Sequence, residues 1–151
     1  MRKHRMIQVI ACCILVVALV QIAYSSDTQF VSESILEVRV EGDLYIQRVQ
    51  SKGFHDEEMI LMEVSINQRN HTIQQVKVLA HQETPDYGGH ITQNWFLDKF
   101  QAKRLNKPLE CVNIIEKEEH EIVAITGATI SSQAIINGVN IAMQQYNSTK
   151  K

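Results

Sequence analysis

The sequence predicts an α+β domain, an antiparallel sheet with two helices packed on it, preceded by one N-terminal transmembrane helix. Three observations carry this reading. Two apolar-rich runs, Met59–Ile66 and Thr72–Leu79, flank the polar stretch Asn67-Gln68-Arg69-Asn70-His71, which is the pattern of an antiparallel hairpin. From Ser132 to about Gln145 the chain is apolar except for the stripe Gln133, Asn137, Asn140 and Gln144, the pattern of a mostly buried helix. Finally, the uncharged apolar run Met6–Tyr24 follows a basic flank at residues 1–5.

Taken in order, Arg2, Lys3 and Arg5 precede a segment that reaches roughly 30 Å at about 1.5 Å per residue, enough for a bilayer core. The basic flank should stay in the cytoplasm, so the main domain is expected on the extracytoplasmic side of the cell (inner) membrane, with a single pass. A cleaved signal peptide is the rival reading. Ile22-Ala23-Tyr24-Ser25-Ser26 is a poor match to a small-residue cleavage site, and a retained anchor is favoured. The expected organisation is a flank at 1–5, an anchor at 6–24, a polar linker at 25–34 and a domain at 35–147. Cys12 and Cys13 fall in the anchor, and Cys111 stands alone in the rest of the chain. The domain must therefore rely on its core rather than on a disulfide. With 44% hydrophobic and 21% charged residues the composition is globular. A net charge of −2, with no dense basic stripe beyond residue 5, gives no footprint for a nucleic acid, and no such partner is expected.

Ile35–Val40 reads as a strand or a helical turn, Glu41-Gly42-Asp43 as a turn, and Leu44–Val49 as a weak strand. Lys52-Gly53-Phe54 starts another turn. After the hairpin, Pro85 and Gly88-Gly89 forbid regular structure, so residues 81–90 form a loop. Ile91, Trp95, Ala102 and Leu105 then fit one face of a three-turn helix, with Phe96, Leu97 and Phe100 on another side. Such a two-sided helix is either sandwiched or presents an aromatic patch outward. Leu109–Ile115 and Ile122–Ile125 read as strands, separated by a charged turn at Glu116–His120.

Chemistry concentrates at Thr126-Gly127-Ala128-Thr129-Ile130-Ser131-Ser132, where a strand passes into the last helix. A helix start carries unpaired N–H groups and the positive end of the dipole, which suits phosphate. An ordinary N-cap explains the same residues, and on physical grounds alone it is the favoured reading. The six histidines show no paired ligand spacing, and no serine sits in a nucleophile elbow.

The stretch Ala124–Ser132 resembles the flavinylation motif of the FMN-binding domain family. That family includes the G component of Rnf-type electron-transport complexes and the C component of the sodium-translocating NADH:quinone reductase. The N-terminal anchor, the hairpin, the His81-Gln82-Glu83-Thr84-Pro85 loop and Trp95–Phe100 follow in the family's order, over roughly residues 42–146. The resemblance implies FMN as cofactor and an electron-transfer subunit or carrier rather than an independent enzyme. Its expected partners are other subunits of a membrane redox complex, and a separate flavin transferase matures it. Thr129 matches the threonine whose hydroxyl is joined to the FMN phosphate, with FAD as donor and a divalent cation. Thr126, Gly127 and Ala128 match the recognition and phosphate-loop positions, and Ser131 and Ser132 the polar residues of the helix start. Glu83, Thr84 and Pro85 match the loop near the flavin ring. Two positions depart from the family pattern. Val123 stands where the family has Asp, and Asp86-Tyr87 stands where it has Gly-Leu. These departures motivate two alternatives, non-covalent FMN and a flavin-free module for assembly or sensing.

Overall fold

The computed structural model describes residues 33–54 and 59–150. The expected flank and anchor, and the linker as far as residue 32, lie outside the described residues. Among those described, no helix is long and apolar enough to cross a membrane.

Strands β1 (Ile35–Glu41), β2 (Leu44–Lys52), β3 (Met59–Asn67) and β4 (Thr72–Ala80) form one antiparallel sheet in sequence order. The expected hairpin is β3–β4, with Val64 opposite Val76 and Ile66 opposite Ile73. The two more ambiguous stretches are firm strands as well. Gly42, at φ 59°, makes the tight reversal between them that a side chain would disfavour. A shared face explains the register. Tyr45, Val49, Ile60, Met62, Val64, Ile66, Ile73 and Val76 are all buried; those of β2 and β3 alternate as the pleat requires, and a register irregularity opposite Ser65 and Ile66 brings Ile73 and Val76 of β4 to the same face. On β1 and the outer face of β2 and β3 the chain is charged instead, with Arg39 bound to Glu41 and Glu63 and Arg48 bound to Glu37.

The buried face receives the long C-terminal helix, Thr129–Ser148. Its polar stripe is as expected: Asn137 and Gln144 are exposed, while Ala134, Ile135, Ile136, Val139, Ile141, Ala142 and Met143 are buried. Two polar side chains of β2 cross the apolar interface to reach it. Ser51 Oγ donates to Ala134 O at 2.8 Å, and Gln47 Nε2 donates to Ala142 O at 2.9 Å. Between them lies Gly138, where a Cβ would stand 2.5 Å from Met62 Cε, so the helix backbone approaches the sheet closely at that point.

Three expectations need correction. The three-turn helix from Ile91 to Leu105 is a broken run: a 3-10 turn at Gly88–Thr92, a single α-turn (α1, Asn94–Leu97; the long helix is α2), and another 3-10 turn at Asp98–Phe100. Tertiary pairing ends it. Ala102 N donates to Ile73 O and Ile73 N to Lys103 O, both at 2.9 Å, so the chain is captured by the edge of β4 with Ala102 at φ 60°. Ile91, Phe96, Leu97, Phe100 and Leu105 are buried, whereas Trp95 and Ala102 are exposed. Second, β5 is only Glu110–Val112 and β6 only Glu121–Val123, and they pair in parallel as a separate two-stranded sheet. Ile114 and Ile115 lie beyond the pairing and are exposed. Third, α2 begins at Thr129, three residues before the expected start.

Candidate functional site

That earlier start changes what the motif does. Residues 125–128 form a reversal closed by Ala128 N donating to Ile125 O at 2.9 Å, with Gly127 at φ 79°. A positive φ at the third position of such a turn is the type II pattern, in which glycine is the natural occupant. Ser132 locks the turn from inside. Its Oγ accepts from Ile125 N and donates to Ala128 O, each at 2.9 Å, and the residue is fully buried. The N-cap position falls to Ala128, which makes no side-chain cap bond, and the first turn holds no acidic residue. The ordinary-cap reading of the motif therefore fails on geometry. The helix start is left open to an anion from outside.

It opens into a cleft of about 420 Å³ lined by Phe54, Glu83, Thr84, Tyr87, Gly88 and residues 127–131. This is within the roughly 300–1,000 Å³ of small-molecule and cofactor sites. Of the expected site residues, Gly127, Ala128, Thr129, Ser131, Glu83 and Thr84 line it. Ser132 lies behind the turn, and Thr126 and Pro85 are exposed outside the lining.

Glu83 is buried and joins three segments. Its Oε2 accepts from Ser131 Oγ at 2.5 Å, and its Oε1 accepts from Phe54 N at 2.9 Å. Two glycines make room for the carboxylate. A Cβ on Gly88 would stand 2.5 Å from Glu83 Oε2, and one on Gly53 would collide with Oε1. The hydroxyls of Ser131 and Ser132 are thus both engaged. Thr129 is exposed, lines the cleft, and makes no side-chain hydrogen bond among the described residues. No lysine or arginine lines the cleft among the described residues, so an anion there is received by main chain and helix dipole. Phe54, Tyr87 and Ile130 are 57%, 59% and 54% exposed and give the cleft apolar walls. Open donors, apolar walls and sufficient volume together fit a flat, phosphate-bearing cofactor.

Phe54, Gly88 and Ile130 were not singled out from sequence as site residues. Gly53 and Gly88 signalled only broken structure, and nothing in their neighbourhood marked them as space for a buried carboxylate.

At Val123 the backbone N–H donates to Glu116 Oε1 at 3.0 Å, so a carboxylate does reach this position from the charged turn. Burial alone would raise the Glu116 pKa. The Val123 N–H and the Lys99 ammonium outweigh that effect and hold it below the ordinary carboxylate value. A depressed folded-state pKa stabilises the fold above the unfolded value, and the benefit is lost as pH falls through the folded one. Glu116→Gln should therefore lower the urea midpoint at pH 7, and the gap from wild type should close as pH drops below the normal carboxylate range.

Gly127→Ala should cost about 1–2 kcal/mol from the positive φ alone. It should also crowd Tyr87, whose Cδ1 would lie 3.3 Å from the new Cβ. The combined effect is measurable by urea unfolding.

Fold and cleft together suit a phosphate-bearing cofactor. The FMN-binding domain profile matches residues 53–144, more than half of the chain, and the chain belongs to that family, with FMN as its cofactor. The G component of the Na(+)-translocating ferredoxin:NAD(+) oxidoreductase complex of Acetobacterium woodii is 32% identical over 102 residues, 67% of this chain and 47% of that protein. The G component of an ion-translocating oxidoreductase complex of Vibrio cholerae is 29% identical over 105 residues, 68% of this chain and 48% of that protein. Among solved structures, Shewanella oneidensis NqrC superposes with a TM-score of 0.56 at 24% identity, over 66% of this chain and 48% of that one. This last likeness supports the fold. The chain spans about half the length of the curated relatives it matches.

Proposed function

We propose that this domain carries FMN joined through its phosphate to the Thr129 hydroxyl, and that it relays electrons as a membrane-anchored subunit of an ion-translocating redox complex. The observation that carries the reading is the placement of Thr129. It is the first residue of α2, it lines the cleft, and its side-chain oxygen is not committed among the described residues. Attachment on a flavin transferase, with a divalent cation, forms a new bond from Thr129 Oγ1 to the flavin-side phosphorus of FAD. The pyrophosphate bond breaks, AMP leaves, and the hydroxyl proton passes to the medium. Glu116, hydrogen-bonded at Val123, supplies the acidic group that the family carries at that position.

FMN, once bound, supplies one- and two-electron chemistry. The residues of the chain tether and orient. Gly127 would let the main chain turn close to a bound phosphate, and the N–H groups at the start of α2 would receive its charge. The Glu83–Ser131 bond holds the loop against the helix start, and Phe54 and Ile130, which line the cleft, would keep water from a bound ring. The basic flank at 1–5 and the apolar run at 6–24 support an extracytoplasmic position for this unit at the membrane.

Intact-mass measurement on protein made together with an active flavin transferase tests the reading. The expected result is one FMN adduct per chain, retained after denaturation. Flavin that is released on denaturation would replace the phosphoester by non-covalent binding, and a colourless protein would remove the flavin reading.

A further inference from the structure

Tyr87 closes the cleft from the loop side. Its main chain is held in place, with Tyr87 N donating to Thr84 O at 3.1 Å and Tyr87 O accepting from His90 N at 3.2 Å. The ring lies along the turn that delivers Thr129. A Cβ built on Gly127 would be 3.3 Å from Tyr87 Cδ1 and 3.7 Å from Cε1, so one ring edge rests on the Gly127 backbone. The residue is nonetheless 59% exposed, and it borders the same cleft as Thr129, Phe54 and Ile130. An exposed aromatic side chain whose main chain is fixed and which shares a cleft with the anchoring hydroxyl is a platform for another flat ring.

We propose that Tyr87 stacks, offset and face to face, on the isoalloxazine ring of the bound cofactor, fixing its orientation and quenching its emission. The proposal rests on the FMN reading above. A phenol in contact with an excited flavin gives it one electron and recovers that electron within the same encounter. No net oxidation occurs, and the light is lost as heat. Tyr87 is a positioning residue, and its removal leaves the Thr129 hydroxyl and the Glu83–Ser131 bond untouched.

The test uses the full chain in mild detergent, loaded by co-expression with a flavin transferase and matched for flavin by absorbance. Time-resolved flavin fluorescence and visible circular dichroism are recorded for wild type, Tyr87→Leu and Tyr87→Phe. Wild type should show short-lived emission. Tyr87→Leu should lengthen the lifetime several-fold and change the flavin dichroism. Tyr87→Phe should lengthen the lifetime, because phenyl is a poor electron donor, yet keep the wild-type dichroism, because it still stacks. Equal lifetimes in wild type and Tyr87→Leu, or a Phe variant whose dichroism follows Leu, would overturn the stacking. Absence of flavin from wild type removes the FMN reading and this proposal with it, and absorbance shows that before any lifetime is read.

Discussion

Thr129→Ala, made together with a flavin transferase, is expected to have the mass of the bare chain while wild type gains FMN. The loss should be complete rather than graded, because the other hydroxyls of the first turn of α2 are unavailable. Ser131 Oγ is spent on Glu83, and Ser132 Oγ is spent on both sides of the turn and buried. Thr129→Ser keeps an oxygen at the same helix position and should retain the adduct. Neither change should matter to the fold, because an exposed first-turn residue without a capping role is usually worth within about 0.5 kcal/mol. Unfolding curves of the two variants should overlay that of wild type. Adduct persisting on Thr129→Ala would move the attachment to another residue.

The second large effect is expected at Glu83. Glu83→Ala deprives the Ser131 hydroxyl and the Phe54 N–H of their common acceptor. Hydrogen bonds to a charged acceptor contribute roughly 1.5–3 kcal/mol, and groups left buried and unsatisfied add to the cost. A fall of about 2–3 kcal/mol is therefore expected, a large share of the roughly 5–15 kcal/mol that holds such a domain together. The same change frees the 81–90 loop from the helix start, so flavin loading should fall along with stability. Glu83→Gln keeps the volume between Gly53 and Gly88 and one good acceptor, and it should lose less on both counts. Denaturant unfolding alongside flavin stoichiometry checks this. An alanine variant as stable as wild type would show that the carboxylate is a bystander.

The legible parts of this molecule are those whose signal is local. The β3–β4 hairpin announced itself by alternation and a polar turn, and α2 by its narrow polar stripe, because burial writes a periodic pattern over enough residues to be read. The strand-to-helix turn and the proline–glycine loop were readable as local punctuation, whereas Thr129 and Glu83 were singled out within them only through the family resemblance. What stayed hidden depended on distant pairing. The apolar spacing from Ile91 to Leu105 is compatible with a helix, yet the free edge of β4 competes for residues 102–104 and wins. Three-residue strands such as β5 and β6 are too short to carry a period, and nothing in so short a run signals that they pair in parallel. Gly53 and Gly88 are separated by 35 positions, so their joint role around one carboxylate exists only in the folded state.

The close approach at Gly138 has a consequence for the cofactor. Ser51 and Gln47 grip α2 at Ala134 and Ala142, on either side of it. A slip of the helix by one turn would translate it about 5.4 Å and carry Thr129 away from the cleft, and the apolar face alone would resist that poorly because it repeats from turn to turn. Main-chain acceptors recur along the helix as well, but the glycine does not. A one-turn slip would bring the Cβ of Ala134 or Ala142 towards Met62, where a Cβ has no room. The address at which a flavin is tethered is thus written partly in one buried glycine that lies outside the cleft lining.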